Sequence, residues 1–280
     1  MQNANTINVE NSINSGQVFL WKKNKEFWLG VNGQDILKID TAGSVKSYQN
    51  TRTDFFRKKD NIEEIINSIS KDSIVKIAVK QFLGLRLIRQ DPFQCLISFI
   101  VSSNSNIQKI KLNLENLCKK FGRKVEFDKQ EFSLFPQPEK IAQASINEIV
   151  ECGLGYRSKF VKEAATKIFK DEIDLELLEK NNYLDVKEVI CSIPGVGNKV
   201  ADCTMLFSLN KLEAFPLDRW MVRILKKYYQ DEFQIETKTI TEKQYNRLHE
   251  KIVNHFGPYA GYGQQFLFKM EREINQKKWL

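Results

Sequence analysis

The chain is poor in the residues that build most metal centres. It has two histidines, His249 and His255, and five cysteines with no C-x-x-C pair among them. These counts argue against a histidine-based metal site and against a cysteine-rich zinc or iron–sulfur site. Cys95, Cys118, Cys152, Cys191 and Cys203 are scattered, odd in number and mostly set in apolar runs. That pattern predicts reduced, buried thiols and no disulfide framework. No apolar run reaches membrane-spanning length, and the opening residues do not read as a targeting segment. An intracellular protein of the cytoplasm or nucleoid, without a membrane partner, is expected. Internal repeats and low-complexity linkers are also missing.

What is present describes a folded, basic protein. At 280 residues, 42% hydrophobic and 11% aromatic, the chain is long enough for two domains and a sizeable core. Lys and Arg outnumber Asp and Glu by 43 to 35, a net charge of +8. This suits a polyanionic partner, although mildly basic proteins are common and charge alone favours nucleic acid only weakly.

Residues 1–50 read as antiparallel β structure. Phe19 and Trp21 alternate with Val18 and Leu20, Phe27 to Val31 is strand-like, and Asn32-Gly33-Gln34-Asp35 is a hairpin turn. From Asn61 the apolar residues recur at helical spacing. Asp91-Pro92 is a helix start, followed by a strongly apolar helix to Ser103 and a polar stretch, Ser102-Ser103-Asn104-Ser105-Asn106. A helix over 107–121, a glycine turn at Gly153-Leu154-Gly155-Tyr156-Arg157 and helices over 240–255 and 260–275 complete the pattern. The expected class is α+β: a β-rich domain over 1–90, then an all-helical body over 91–280.

One stretch organises that body. Ile193-Pro194-Gly195-Val196-Gly197 separates two helix-like runs, and Asn198-Lys199-Val200-Ala201-Asp202-Cys203 opens the second. Pro194 cannot continue a helix, and the glycines permit a tight reversal. A helix that starts this way exposes unpaired N–H groups at its positive end, an anion site. Lys199 sits in its first turn, and a neutral lysine amine is a nucleophile. Taken alone, the hairpin reads equally well as a glycine turn beside a solvated lysine. Asp218 follows Pro216-Leu217 and is placed as the N-cap of another helix.

Together these segments resemble the helix-hairpin-helix DNA glycosylases, and within them the 8-oxoguanine DNA glycosylase/AP lyases. The signature is Ile193-Pro194-Gly195-Val196-Gly197-Asn198-Lys199-Val200-Ala201-Asp202. Ser15-Gly16-Gln17-Val18-Phe19-Leu20-Trp21, Leu87-Ile88-Arg89-Gln90-Asp91-Pro92, Ser102 to Ile107, Gly153 to Arg157 and Gly257-Pro258-Tyr259-Ala260-Gly261 extend it along nearly the whole chain. The resemblance implies two helical lobes flanking a cleft and a bifunctional enzyme on double-stranded DNA containing 8-oxoguanine, with no metal or organic cofactor. Lys199 would attack C1′, expel the base and form a Schiff base, so that β-elimination cuts the strand. Asp218 would be its carboxylate partner. Gly16, through its carbonyl, with Cys203, Gln264 and Phe268 would hold the extruded base. Asn104 would plug the gap, Tyr156 wedge the duplex and Arg157 read the orphaned cytosine. Gly195 and Gly197 would hold phosphate. Asp202, a rival carboxylate, is ranked as structural, and Lys211 and Lys226 as surface lysines. A monomer is expected, since one duplex needs one site.

Three positions depart from the family pattern. Ser105 interrupts a run of asparagines. Lys109 stands where a second cytosine-reading arginine is expected, and lysine lacks the planar fork. Trp220 replaces a histidine that lies near a phosphate. Two rivals remain: a glycosylase of the same superfamily acting on other lesions, and a non-catalytic helix-hairpin-helix module that would need neither Lys199 nor Asp218.

Overall fold

The structure, a computed structural model, describes residues 6–50, 54–235 and 240–277. Residues 1–5, part of the stretch read as β, lie outside these. The described chain opens with a short helix, α1 (Val9–Ile13), capped by the Asn8 side chain. This corrects the expectation of β structure throughout 1–50. Four strands follow in a meander: β1 (Trp21–Asn24), β2 (Phe27–Asn32), β3 (Asp35–Asp40) and β4 (Val45–Ser47), antiparallel in sequence order. Asn32 pairs with Asp35, so Gly33 and Gln34 make the expected two-residue turn, with Gly33 at φ +61°.

Residues 15–20 do not extend β1, because side-chain amides tie them elsewhere. Gln17 donates to the Arg86 carbonyl (2.9 Å) and accepts from Ile88 N–H (2.8 Å). Gln90 donates to the Gln17 carbonyl (2.9 Å), and Gln265 to the Ser15 carbonyl (2.9 Å). Neutral amides thus fasten the loop carrying Gly16 to two remote segments.

The body is helical, as expected: α2 (Ile62–Ile69), α3 (Ser73–Gln81), α4 (Pro92–Ser102), α5 (Ile107–Phe121), α6 (Pro138–Gln143), α7 (Ile146–Ile149), α8 (Arg157–Phe169), α9 (Leu175–Leu178), α10 (Tyr183–Cys191), α11 (Asn198–Ser208), α12 (Arg219–Tyr228), α13 (Gln230–Phe233), α14 (Glu242–Phe256) and α15 (Ala260–Lys277). It also carries one β-hairpin, β5 (Lys124–Phe127) with β6 (Gln130–Ser133). Val125 and Phe127 of this hairpin pack with Leu29 and Ile36 of the N-terminal sheet. Phe19 and Val31 in turn join the large helical core. Among the described residues, no helix is long and apolar enough to cross a membrane.

α4 is the central helix. Residues 93–101 are all buried, its start is capped by Asp91, and Phe99 stacks on Phe207 of α11 at 5.5 Å. Behind α11 lies a buried polar cluster. Asp202 is fully buried and accepts from the hydroxyls of Tyr183 (2.8 Å) and Tyr245 (2.6 Å). Lys187 stands 3.9 Å away and donates to the Tyr183 hydroxyl. The Tyr245 oxygen also accepts from the Leu217 N–H at 3.1 Å. A buried carboxylate is tolerated only with such partners. Removing it takes the acceptor from both hydroxyls and the counter-charge from Lys187, so Asp202→Ala is expected to cost about 3–5 kcal/mol. Urea unfolding followed by circular dichroism checks this; a loss below about 1 kcal/mol contradicts it.

Candidate active site

The hairpin forms between α10 and α11 as its glycines require. Gly195 has φ +81°, and a Cβ there would overlap the ring of Phe160 from α8. Only glycine satisfies both the angle and the close approach. Val196 N–H bonds the Ile193 carbonyl at 3.0 Å and closes the turn. Gly197 is the N-cap of α11; no side chain caps that end, and nothing lies within 4 Å of where its Cβ would be. The first N–H groups of α11 therefore open at an exposed surface with positive dipole character.

Helix α11 starts at Asn198, so Lys199 is its second residue, in the first turn as expected. Its Nζ donates to Ser102 Oγ at 3.1 Å and lies 4.9 Å from the Phe99 ring centroid. Asp218 is the N-cap of α12, as expected, with one oxygen accepting from Met221 N–H at 2.8 Å. Both side chains line one cleft of about 900 Å³. Gly16, Cys203, Gln264, Phe268 and Trp220 line the same cleft. Seven of the residues singled out from the sequence thus converge, from positions as far apart as 16 and 268.

The pocket's chemistry is specific. Gln264 is 5% exposed, and its Oε1 has no hydrogen-bond partner among the described residues. A buried acceptor left unpaired is costly, so a ligand N–H there would be favoured. Gly16 has φ +89°; a Cβ on it would stand 3.2 Å from Phe268 Cε1 and 2.9 Å from Arg272 Nη1. Cys203 is 3% exposed, one turn after Lys199. Burial pushes its thiol up to about 12, with Lys199 pulling the other way. Among the described residues, no group of three or more His, Cys, Asp and Glu side chains could hold a metal ion.

The remaining predicted residues do not line the cleft. Asn104 is exposed at φ +50°, and its Oδ1 accepts from Arg219 Nη2 at 3.1 Å. Tyr156 is 56% exposed and meets Phe160 edge-on, ring centroids 6.2 Å apart. Lys109 is exposed on α5. Arg157, expected to read the orphaned cytosine, is only 6% exposed. Its Nε donates to the Ser103 carbonyl (2.7 Å), and its Nη atoms reach the carbonyls of Asn104 (3.0 Å) and Leu154 (3.3 Å). It braces the turn carrying Asn104, and reading a base would require exchanging these bonds. Lys211, ranked as a surface lysine, is also buried, because the Glu179 carbonyl accepts its amine at 2.7 Å. Sequence reasoning misses Arg219 and Arg272. Arg272 has a local signal: it continues the four-residue spacing from Gln264 and Phe268 along α15.

A family model described as HhH-GPD superfamily base excision DNA repair protein matches residues 97–251. A second, the 8-oxoguanine DNA glycosylase N-terminal domain, matches residues 1–96. The chain therefore belongs to the HhH-GPD superfamily of base excision DNA repair proteins and, within it, to the 8-oxoguanine glycosylase type. It is 29% identical over 276 residues to the N-glycosylase/DNA lyase OGG1 of Arabidopsis thaliana, covering 92% of this chain and 75% of that protein. The structure of MBOgg1 in complex with a low-affinity DNA ligand superposes with a TM-score of 0.85 at 31% identity, covering 96% of this chain and 93% of that one. The Clostridium acetobutylicum 8-oxoguanine glycosylase/lyase, solved with double-stranded DNA containing cytosine opposite 8-oxoG, gives a TM-score of 0.85 at 29% identity over the same shares.

The buried state of Cys203 has a direct consequence. Its folded pKa is raised, so the thiol stays protonated until the pH approaches about 12. Iodoacetamide at pH 8 is expected to leave Cys203 unmodified in the folded protein and to alkylate it in urea. Peptide mass spectrometry reads the site; rapid alkylation in the native state contradicts the assignment.

Proposed function

We propose that this protein excises 8-oxoguanine from duplex DNA and then cuts the strand as an AP lyase. The carrying observation is the convergence of Lys199 and Asp218 on one cleft with Gly16, Cys203, Gln264 and Phe268. A base must leave the stack to enter such a pocket. The neutral Lys199 amine attacks C1′. The new N–C1′ bond forms as the C1′–N9 bond breaks, and the base leaves with the electron pair and takes up a proton. Asp218 stabilises the positive charge that develops on the sugar and helps move the amine's proton. Ring opening gives an imine between Nζ and C1′, which acidifies C2′. Loss of the C2′ proton and departure of the 3′ phosphate cut the strand.

Selection works through N7. 8-Oxoguanine carries a proton there and guanine a lone pair, so the Gly16 carbonyl accepts from the lesion and opposes the normal base. Cys203 and Phe268 sandwich the base, and Gln264 meets its pairing edge. Outside the pocket, the N–H groups around Gly195 and Gly197 take backbone phosphate, Trp220 flanks the lesion strand, Asn104 fills the gap and Tyr156 wedges the stack. The protein acts inside the cell as a monomer. A non-catalytic module would have no use for a lysine and a carboxylate on one cleft.

Borohydride trapping on a duplex holding one 8-oxoguanine tests the mechanism. A covalent adduct is expected with the wild type and none with Lys199→Gln. Asp218→Asn should slow excision on the order of 10²–10⁴-fold. Binding without an adduct at any lesion would falsify the lyase assignment.

Lys109 offers one ammonium where a guanidinium would present a fork to cytosine. Cleavage of duplexes with each of the four bases opposite the lesion should show a shallow cytosine preference, and Lys109→Arg should steepen it. A steep preference in the wild type refutes this role.

A further inference from the structure

Among the described residues, two cationic side chains line the cleft, Lys199 and Arg272. Neither the catalytic scheme nor the base pocket uses the second. Arg272 lies on α15 four residues after Phe268 and eight after Gln264, so all three share one helix face. Its guanidinium carbon is 5.8 Å from the Phe268 ring centroid. Its Nη1 would stand 2.9 Å from a Cβ on Gly16, which places it beside the Gly16 backbone. That nitrogen donates to the Asn14 carbonyl at 3.3 Å, a long bond. A guanidinium carries five donors, and burial works against its charge, lowering its pKa. Such a group is stabilised by any acceptor brought into the cleft.

8-Oxoguanine differs from guanine at one edge, where N7 bears a hydrogen and C8 an oxo oxygen. That edge is a lactam, a donor beside an acceptor. The Gly16 carbonyl answers the donor. We propose that Arg272 answers the acceptor: its guanidinium donates to the C8 oxygen, so Gly16 and Arg272 together read the lactam edge of the extruded base. This rests on the assignment of Gly16 and Phe268 to the base pocket. Guanine satisfies neither group, since its N7 lone pair opposes the Gly16 carbonyl and its C8–H offers Arg272 nothing. Arg272 is thereby a specificity-determining residue, and the favoured substrates are bases with an N–H next to a carbonyl on the edge opposite the pairing edge.

Single-turnover excision by the full chain tests this, comparing wild type, Arg272→Met and Arg272→Lys. The substrates are duplexes with 8-oxoguanine, with 8-thioguanine, whose sulfur is a weak acceptor, or with a preformed abasic site. Arg272→Met should slow 8-oxoguanine excision about 10- to 100-fold, the range of one hydrogen bond to a charged donor. Arg272→Lys should fall between the two. Cleavage at the abasic site, which presents no base, should be unchanged. Replacing oxygen by sulfur should slow the wild type by a similar factor and Arg272→Met far less. Equal excision of 8-oxoguanine by wild type and Arg272→Met overturns the assignment. A parallel fall in abasic-site cleavage also overturns it, because it marks a structural role. Wild type that leaves 8-oxoguanine intact overturns the functional reading itself, a result distinct from an unaffected variant.

Discussion

The geometry of the cleft depends on one buried anion. Asp202 lies three residues after Lys199 on α11 and accepts from Tyr245, whose oxygen accepts in turn from the N–H of Leu217, the neighbour of Asp218. A single carboxylate thus connects the helix bearing Lys199 to the segment bearing Asp218. Tyr183 and Lys187 of α10 complete the set, so the helix before the hairpin is held to the same point. Burying this charge is expensive in isolation, and the hydroxyls offset that cost only in one arrangement of α10, α11 and α14. Specific polar partners fix a geometry that apolar packing alone leaves adjustable.

The second constraint is built from neutral amides. Gln17, Gln90 and Gln265 tie the loop around Gly16 to residues 86–90 and to α15. They do so without burying a charge, and they set the Gly16 backbone, not a side chain, at the wall of the cleft. This explains why the small β-rich region cannot be separated from the site. Its sheet packs against the β5–β6 hairpin of the body, its Phe19 enters the body's core, and its loop forms one wall of the cleft.

Features governed by neighbouring residues are legible in the sequence. The Pro194-Gly195-Val196-Gly197 reversal, the Asp91-Pro92 start, the Asn32 to Asp35 turn and the Asp218 cap each follow from local backbone rules. The pocket is different. Gly16 and Gln264 are brought together by hydrogen bonds between segments far apart in the chain, which no spacing encodes, and family resemblance alone points to them. Arginine usually lies at the surface, and no local rule marks Arg157 as buried; the carbonyls of Ser103, Asn104 and Leu154 that bury it belong to the ends of other elements. Lys211 is buried by a remote carbonyl in the same way. The β5–β6 hairpin gives no glycine signal, because Asp128 and Lys129 make its turn, both at positive φ. Short α1 is hidden by its brevity and by the β pattern around it.

Phe160 joins the glycine hairpin to Tyr156. Its ring fills the space a Cβ on Gly195 would need, and its edge meets the tyrosine. The glycine turn and the exposed tyrosine are therefore coupled through one ring on α8. On the proposed roles, a duplex held at the turn and pressed at Tyr156 meets two contacts whose separation is set by Phe160. With that separation fixed, duplexes that bend easily and duplexes that resist differ in the energy of binding. In that reading the stiffness of the duplex around a lesion contributes to binding outside the cleft, apart from any contact to the base.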